Sequence, residues 1–288
     1  MHSGLPQLEH KPATLFSEFH FDPHRLRSEA EIAIAYIREM QRAQPDLNGW
    51  VTFFLGNQSG DHNDLRLSEY AGHFRPTSLG AGMPYTMDII ERLNSEGFSF
   101  QYCRIALLEP RSLLRCHVDM YTSHRLIVPL TEQGDDFRHV FEEDCFGMRV
   151  GELWGIDGNV CHGAAHVGSE GYRVCLLLDA KENDKRLPGW WQERWQIPAT
   201  RMIQRSNWEE VARRRTATRA EALIEDGRDA AAAEQEWLFV PFEYVITPSA
   251  AYDELIRFCE ERAGTPDADR SFWTSRASHW RQRSCRCV

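Results

Sequence analysis

Short stretches in which apolar and polar residues alternate recur along the first two thirds of the chain, and polar turns separate them. Alternation with a period of two places every second side chain on the same face, which is typical of β-strands. The densest series lies within residues 103–179, and we expect the rest of the chain to be organised around it. The predicted strands are residues 16–21, at the edge of the sheet, 50–55, 98–108, 125–130 and 174–178.

Two helices are predicted between the first strands, at residues 28–42 and 84–93. Pro84 suits the first turn of the second helix, and Gly97 follows its end. Apolar residues on one side of the first helix should form its core face. That face is predicted to consist of Ile32, Ile34, Tyr36, Ile37 and Met40.

Beyond residue 179 the pattern changes from strands to helices. Helical periodicity is predicted over residues 207–226 and 248–263, with a short alanine-rich piece at residues 230–234 between them. Three tryptophans precede these segments at helical spacing. We therefore predict a β-rich domain over residues 1–185 and a mainly helical region over residues 186–288. The three tryptophans are Trp190, Trp191 and Trp195.

Composition narrows the class of protein. The chain has 288 residues, 42% of them hydrophobic, which is enough for one large core or for two domains. A net charge of -10 argues against a surface that follows nucleic-acid phosphates. No apolar run reaches the roughly 18 residues that a membrane span requires. The first residues are polar and lack an apolar leader, so we expect no membrane association and a cytoplasmic location.

The eight cysteines are scattered and show no C-x-x-C pair, which favours reduced thiols in the cytosol. Cys116 and Cys161 each directly precede a histidine of interest. On a strand, neighbouring side chains point to opposite faces, so these two thiols are predicted to lie in a core. Cys285 and Cys287 are predicted to lie in a tail exposed to oxidation.

His117 and Asp119 are two residues apart, so on a strand both side chains point to the same face. His162 follows 45 residues later, where a β-fold can bring it opposite the first histidine. Two imidazoles and one carboxylate on one face suit non-heme Fe(II) with open coordination positions. Each residue also has a simpler interpretation: an H-x-D pair usually lies in a solvated loop, and a lone histidine is usually a satisfied core residue.

Arg173 stands eleven residues after His162, at the head of an apolar run. There a fixed guanidinium can bind a dicarboxylate such as 2-oxoglutarate in bidentate fashion, although such an arginine is ordinarily a surface or ion-paired residue. Strands separated by short polar loops predict a double-stranded β-helix. The predicted fold class is thus α+β, with a jelly-roll, cupin-like core, flanking helices and a helical C-terminal region.

These blocks together resemble the bacterial proline cis-hydroxylases, which are iron- and 2-oxoglutarate-dependent dioxygenases of the aspartyl/asparaginyl β-hydroxylase group. The resemblance extends over most of the chain. The blocks that carry it are residues 50–60, 84–85, 102–105, 117–119, 125–130 and 151–154 with Asp157, then His162, Arg173 and the helical segment 246–266.

The resemblance implies that His117, Asp119 and His162 are the catalytic iron ligands and that Arg173 binds the distal carboxylate of 2-oxoglutarate. Arg125 matches an arginine that holds a carboxylate, of either the substrate or the co-substrate. In the family pattern, a histidine that supports the co-substrate follows two residues after this arginine. Here Ile127 occupies that position, so the histidine is absent.

Four residues are expected to contact the substrate, although each has a structural alternative. Arg104 and Arg125 flank the H-x-D pair and can hold a carboxylate, unless they pair with acids such as Glu109. Trp154 either walls the pocket or packs in the core, and the core is favoured. The expected substrate-binding residues are Arg104, Arg125, Asn57 and His166.

The implied function is hydroxylation of an unactivated carbon of a free L-amino acid, proline-like or otherwise small, with O2 as co-substrate and succinate and CO2 as by-products. Two alternatives stay open. One is a β-hydroxylase of Asp or Asn side chains in a peptide or protein. The other is a non-catalytic, cupin-like metal- or ligand-binding module, which would not need Arg173.

Overall fold

The computed structural model describes residues 13–44, 47, 49–64, 66, 74–119, 124–132, 134–180, 197–225, 229–266 and 268–284. Antiparallel strands dominate the first 180 residues, and helices dominate the remainder. The strands are β1 (Ala13–His20), β2 (Trp50–Asn57), β3 (Arg75–Pro76), β4 (Phe100–Leu108), β5 (Ser112–His117), β6 (His124–Pro129), β7 (Phe137–Phe141), β8 (Asp144–Phe146), β9 (Glu152–Asp157), β10 (His162–His166), β11 (Arg173–Ala180), β12 (Ser206–Asn207) and β13 (Tyr244–Val245).

The strands form a seven-stranded sheet, a four-stranded sheet and a short parallel pair. The large sheet has the order β1-β9-β6-β11-β4-β2-β3, and the smaller one has the order β5-β10-β7-β8. The predicted position of the first strand at a sheet edge is confirmed. From β4 onwards the chain crosses repeatedly between the two sheets, so segments distant in sequence are brought to one interior.

Helices α1 (Pro23–Ala43), α2 (Ser78–Ala81) and α3 (Pro84–Ser95) accompany the large sheet. The first helix begins five residues earlier than predicted, because Asp22 caps it by accepting hydrogen bonds from two backbone N–H groups. The predicted core face was wrong at Ile32, which is 42% exposed. Counted from the earlier start, the buried apolar face consists of Leu26, Ala30, Ala33, Ile34 and Ile37.

Strand β11 is buried on both faces. Val174, Leu176 and Leu178 pack with α1 in one core cluster. Cys175 and Leu177 point the other way and pack with the aromatic residues of the four-stranded sheet. Arg173 and Asp179 share this second face by alternation, so they lie toward opposite ends of the space between the sheets.

The C-terminal helices build a core of their own and contact the outer side of the four-stranded sheet. There Phe239 and Phe242, both fully buried, pack against Cys116 and Val140. Tyr252 Oη donates a hydrogen bond to the Cys116 carbonyl at 2.9 Å. The helices are α4 (Glu210–Glu225), α5 (Ala230–Leu238), α6 (Val240–Glu243), α7 (Pro248–Ala263) and α8 (Arg270–Ser284).

Several predictions made from the sequence concern the C-terminal helices, the cysteines and membrane-spanning segments. Helix α7 has the predicted bounds, α5 contains the alanine-rich piece at residues 230–234, and α8 was not predicted. The six cysteines within the described ranges are buried and no disulfide links them, as expected for core thiols. In the part of the chain that is described, no helix combines the length and apolarity needed to cross a membrane. Cys285, Cys287 and the three predicted helical tryptophans lie outside the described residues.

Candidate metal centre

The two predicted ligand histidines lie side by side on neighbouring strands. His117 ends β5 and His162 begins β10, and the antiparallel register places them directly opposite each other. Their ring centroids are 4.7 Å apart. Asp119 follows two residues after His117, and its backbone N–H is held by the Gly158 carbonyl at 2.8 Å. One donor atom from each of the three side chains lies within 4.8 Å of the others.

Backbone carbonyls orient both imidazole rings. His117 Nδ1 lies 2.8 Å from the Arg115 carbonyl, and His162 Nδ1 lies 2.9 Å from the Val160 carbonyl. A carbonyl only accepts hydrogen bonds, so each Nδ1 carries the ring proton and each Nε2 presents a lone pair. These Nε2 atoms lie 3.4 and 3.6 Å from the two Asp119 carboxylate oxygens.

The atoms left without hydrogen-bond partners at this centre match a cation. His162 Nε2 and Asp119 Oδ2 are buried and accept no hydrogen bond within the described chain, although the Arg125 guanidinium forms an ion pair with Asp119 Oδ2 at 3.2 Å. An unsatisfied buried acceptor costs about 1–3 kcal/mol, and a divalent cation satisfies both atoms at once. Two imidazole nitrogens and one carboxylate fit Fe(II) with free positions for further ligands.

The protonation states also suit metal binding. Burial raises the pKa of Asp119, but the His117 hydrogen bond and the Arg125 charge outweigh it and bring the pKa to about 2. Burial, together with the neighbouring His117, lowers the pKa of His162 to about 4. At neutral pH the carboxylate is therefore ionised and the His162 ring is neutral, as a metal ligand must be.

Arg173 occupies the far end of the interior, at the start of β11. It is 3% exposed, and its Nη2 contacts His139 Nε2 on β7 at 2.5 Å. Burial and the charge of Arg173 hold the pKa of His139 well below its usual value, so the ring is neutral and accepts from the guanidinium. Arg173 Nε is buried without a hydrogen-bond partner in the described chain, so it can still donate to an anion. The sequence analysis did not identify His139.

Arg104 and Arg125 both bind Asp179, which, like His139, was not identified from the sequence. Arg125 Nε donates to Asp179 Oδ1 at 2.6 Å, and Arg104 Nη2 donates to Asp179 Oδ2. Arg125 Nη2 lies 3.2 Å from Asp119 Oδ2 as well. The acid expected as an alternative partner, Glu109, instead accepts from Gln41 Nε2 and the Gly49 N–H.

Asn57 ends β2 and is bound within the loop that follows, and His166 lies at the other end of β10 from His162. The Asn57 side chain accepts from the backbone N–H groups of Ser59 and Gly60 and donates to two carbonyls of the same loop. These hydrogen bonds occupy both polar atoms of the Asn57 side chain. His166 ends β10 roughly 13 Å along the strand from His162, and its ring stacks on Phe137 with centroids 4.1 Å apart.

Trp154 packs in the core, as the sequence analysis favoured. Its side chain is fully buried, and its ring stacks on Phe146 with centroids 5.1 Å apart. The indole Nε1 donates to Glu152 Oε2 at 2.9 Å. Trp154 therefore supports the interior and is not free to bind a ligand through its N–H.

The metal-free protein is expected to lose stability as the pH falls from about 6.5 to about 4. An unfolded histidine takes up a proton near pH ~6.5, whereas His162 stays neutral until about pH 4, and the pKa of His139 is likewise held well below its usual value. The unfolded state therefore binds more protons in this window, and each histidine lowers the free energy of unfolding by up to about 1.4 kcal/mol per pH unit.

Urea unfolding at several pH values measures this slope, and His162→Asn should reduce it by the contribution of one group. The same variant at neutral pH, where His162 is neutral in both states, serves as the reference. An unfolding free energy that does not vary over the acid window would contradict the buried, neutral state of these rings.

Comparison with known proteins extends these observations. No curated protein matches the chain. Among solved structures, it is similar to an oxidoreductase of the 2OG-Fe(II) oxygenase family from Burkholderia pseudomallei, with 13% identity, a TM-score of 0.39 and coverage of 60% of this chain and 85% of that one. HygX from Streptomyces hygroscopicus, with nickel and 2-oxoglutarate bound, shows 9% identity, a TM-score of 0.38 and coverage of 60% and 83%. A Pseudomonas putida prolyl-4-hydroxylase shows 16% identity, a TM-score of 0.34 and coverage of 60% and 94%.

The structural scores are low, so the family assignment rests on the sequence match. The model of the aspartyl/asparaginyl β-hydroxylase family matches residues 21–183, which is more than half of the chain. This segment contains His117, Asp119, His162 and Arg173. The chain belongs to the aspartyl/asparaginyl β-hydroxylase family.

Proposed function

We propose that this protein is a dioxygenase that hydroxylates an unactivated carbon of a free L-amino acid, proline-like or otherwise small, and that it is similar in this to the bacterial proline cis-hydroxylases. One observation carries the proposal. Inside the two-sheet core, the buried atoms without a hydrogen-bond partner in the described chain include two acceptors at the His117–Asp119–His162 centre and the Nε donors of Arg173 and Arg104, as well as both ring nitrogens of His166. One cation at the metal centre and an anion at each of the two arginines would satisfy the two acceptors and the two Nε donors.

We infer that strands β4 to β11 form a double-stranded β-helix. In chain order these eight strands lie in the large, small, large, small, small, large, small and large sheet. A jelly roll interleaves two four-stranded sheets in this way. The domain division is part of the same proposal: residues 1–185 carry the chemistry, and residues 186–288 support the smaller sheet from outside.

Iron(II) and 2-oxoglutarate are the cofactors. His117, Asp119 and His162 hold the metal, and Arg173 binds the distal carboxylate of the co-substrate with His139 fixing its guanidinium. When bound, this pair supplies the oxidising chemistry in which O2 is reduced, 2-oxoglutarate loses CO2 to give succinate, and a C–H bond is hydroxylated. The remaining task of the chain is to position one carbon of the substrate beside the metal.

The charges beside the metal favour a substrate with one carboxylate. Arg104 and Arg125 bring two positive charges, and Asp179 brings one negative charge. The negative charge of Asp119 is assigned to the metal, so Arg104, Arg125 and Asp179 together leave one positive charge for a ligand. The carboxylate of a free amino acid provides that charge together with acceptors for the guanidinium donors.

The main alternative is β-hydroxylation of Asp or Asn side chains in a peptide or protein, which is the activity that the family description names. A screen of free L-amino acids against peptides containing Asp or Asn, each with iron(II) and 2-oxoglutarate, separates the two. We expect succinate and a hydroxylated product with a free amino acid. Turnover of peptides alone would favour the alternative, and absence of succinate with every substrate would favour a binding module. The cytoplasmic location stays a prediction.

His162→Ala and Asp119→Ala should each weaken metal binding by more than about 100-fold. The loss of a hydrogen-bond partner of a metal ligand already costs up to about 100-fold, and these variants remove a ligand itself. The fold should persist, since an open site contributes less to folding than a closed structural one. Co(II) titration by absorption and far-UV circular dichroism measure the two effects. His166→Ala on the same strand is the matched control and should keep its metal affinity; normal binding by His162→Ala would remove this residue from the site.

Arg173→Ala should raise the KM for 2-oxoglutarate by about 10- to 100-fold, the cost of a lost charge-assisted hydrogen bond, while changing metal affinity far less. Arg173→Lys should restore part of the affinity, because lysine keeps the charge without the two-pronged geometry. Steady-state kinetics with varied co-substrate tests this. An unchanged KM would transfer the role to Arg125 or Arg104.

Arg125→Ala should uncouple the reaction: 2-oxoglutarate is still consumed, but the yield of hydroxylated amino acid per succinate falls, because the substrate is no longer held with one carbon facing the metal. Quantifying succinate and product in the same reaction gives this ratio. If both fall in proportion, Arg125 acts on the co-substrate instead.

A further inference from the structure

Asp179 is a fully buried carboxylate placed between two arginines. It lies on β11, whose neighbours β6 and β4 carry Arg125 and Arg104. Arg125 is directly opposite Asp179 in the strand register, and Arg104 is opposite Leu177, one step along the same face. The central strand thus binds a guanidinium from each side, using one carboxylate oxygen for each.

Burying the Asp179 carboxylate costs free energy unless both arginines are bound to it. A carboxylate removed from water requires paired charge and hydrogen bonds to its oxygens, and removal of one partner leaves an uncompensated charge. Arg125 is 7% exposed and Asp179 is 0% exposed, so the group is inside the protein rather than at a screened surface. The acid therefore fixes where both guanidinium groups lie.

The remaining donors of the two arginines are directed by this contact. Arg125 uses Nε for Asp179, which leaves Nη2 at 3.2 Å from the metal ligand Asp119. Arg104 uses Nη2 for Asp179, and its Nε is buried without a hydrogen-bond partner in the described chain. Arg104 Nε is thus a buried donor without an acceptor in the described chain, and it belongs to a guanidinium that shares Asp179 with Arg125.

We propose that Asp179 is a positioning residue that orients Arg104 and Arg125 to receive the carboxylate of the substrate. Asp179 acts through the arginines and does not touch the substrate. It also cancels one of their two charges, so that one anionic group, and not two, completes the site. The identity of the bound group as a substrate carboxylate rests on the proposed function, whereas the orienting role of Asp179 does not.

Asp179→Asn tests the proposal, because the amide keeps the shape but loses the charge and turns one acceptor into a donor facing an arginine. With L-proline, or the free amino acid that wild type turns over, we expect its KM to rise by about tenfold or more and the yield of product per succinate to fall. The KM for 2-oxoglutarate should change less than about twofold, because Arg173 and His139 are untouched. Equal changes in both KM values, or no change in either, would overturn the proposal.

Glu234→Gln is the matched control. Glu234 is also a buried carboxylate bound to an arginine, Arg276, but it lies in the helical region. Its amide variant should lower the thermal midpoint without altering either KM. If it raises the amino-acid KM as much as Asp179→Asn does, the effect of Asp179 is one of general stability.

A second measurement does not depend on turnover. In metal-free protein, 15N NMR of arginine side chains should show a slowly exchanging Nε–H signal for Arg125 and slowly exchanging Nη–H signals for Arg104, because these are the groups that donate to Asp179. The signals are assigned through Arg104→Lys and Arg125→Lys. Asp179→Asn should remove or average these signals, whereas Glu234→Gln should keep them. Unchanged signals in Asp179→Asn would refute the positioning role. If wild type turns over no free amino acid, the proposed function fails, and this spectrum alone decides the role of Asp179.

Asp179→Glu replaces the asparagine variant if the latter does not fold. It keeps the negative charge and displaces the carboxylate by one methylene, so the arginines move together with it. We expect a rise in amino-acid KM of the same sign and altered, but not averaged, arginine N–H signals. Wild-type kinetics and wild-type arginine signals in a folded Asp179→Glu protein would count against the proposal.

Discussion

The register between β5 and β10 determines both the metal centre and the contact with the helical region. With His117 opposite His162, both histidines face the space between the sheets, and the cysteines that precede them face outward. A slip of one residue would exchange these faces along a whole strand. Gly163 shows how close the outer contact is: a Cβ there would lie 2.8 Å from Cys116 Sγ and 2.9 Å from Phe242 Cζ. The helices therefore hold the strands in the one register that pairs the ligands.

Burial of charge is the second constraint on the interior. Three arginines and two aspartates lie between the sheets or at their edge, where unpaired charges are unstable. Asp179 and His139 satisfy part of the demand, and among the described residues the unsatisfied atoms of Asp119, His162, Arg104 and Arg173 are ones that a metal and anions can bind. In this respect the free protein already has the charge pattern of the complex, which reduces the reorganisation needed on binding.

The sequence predicted the elements whose signal is local. The apolar run after Arg173 is a property of a single strand and forms β11 as predicted. The spacing of His117 and Asp119 brings both side chains to one centre, but β5 ends at His117, and Asp119 follows it outside the strand with its backbone N–H bound to the Gly158 carbonyl. His139 and Asp179 were missed for the opposite reason. The role of each residue depends on which strands pair. His139 lies on β7, a short strand without a clear sequence pattern, and in the sequence Asp179 is simply the polar residue at the end of an apolar strand.

The errors in the helices also have physical causes. Asp22 and Pro23 were interpreted as a turn, although an aspartate followed by proline is equally a helix N-cap with proline at the first position. That error moved the predicted start of α1 and drew Ile32 into its core face. Helix α8 was overlooked because it is rich in arginine, and its buried side, Trp273, Ala277 and Trp280, is narrow. Its packing partners on α7 lie in the same terminal region, so tertiary contact, and not composition, makes it a stable element.

Arg125 connects the metal centre to the proposed anion site, and this makes the two sites interdependent. Its guanidinium lies between Asp119 and Asp179, so the position of one acid affects the charge felt by the other. A metal held by Asp119 would share this carboxylate with Arg125, and more of the guanidinium charge would then be available to an incoming anion. Metal binding should therefore strengthen anion binding, and substitutions at Asp119, Arg125 and Asp179 should not have additive effects, because all three act within one connected set of charges.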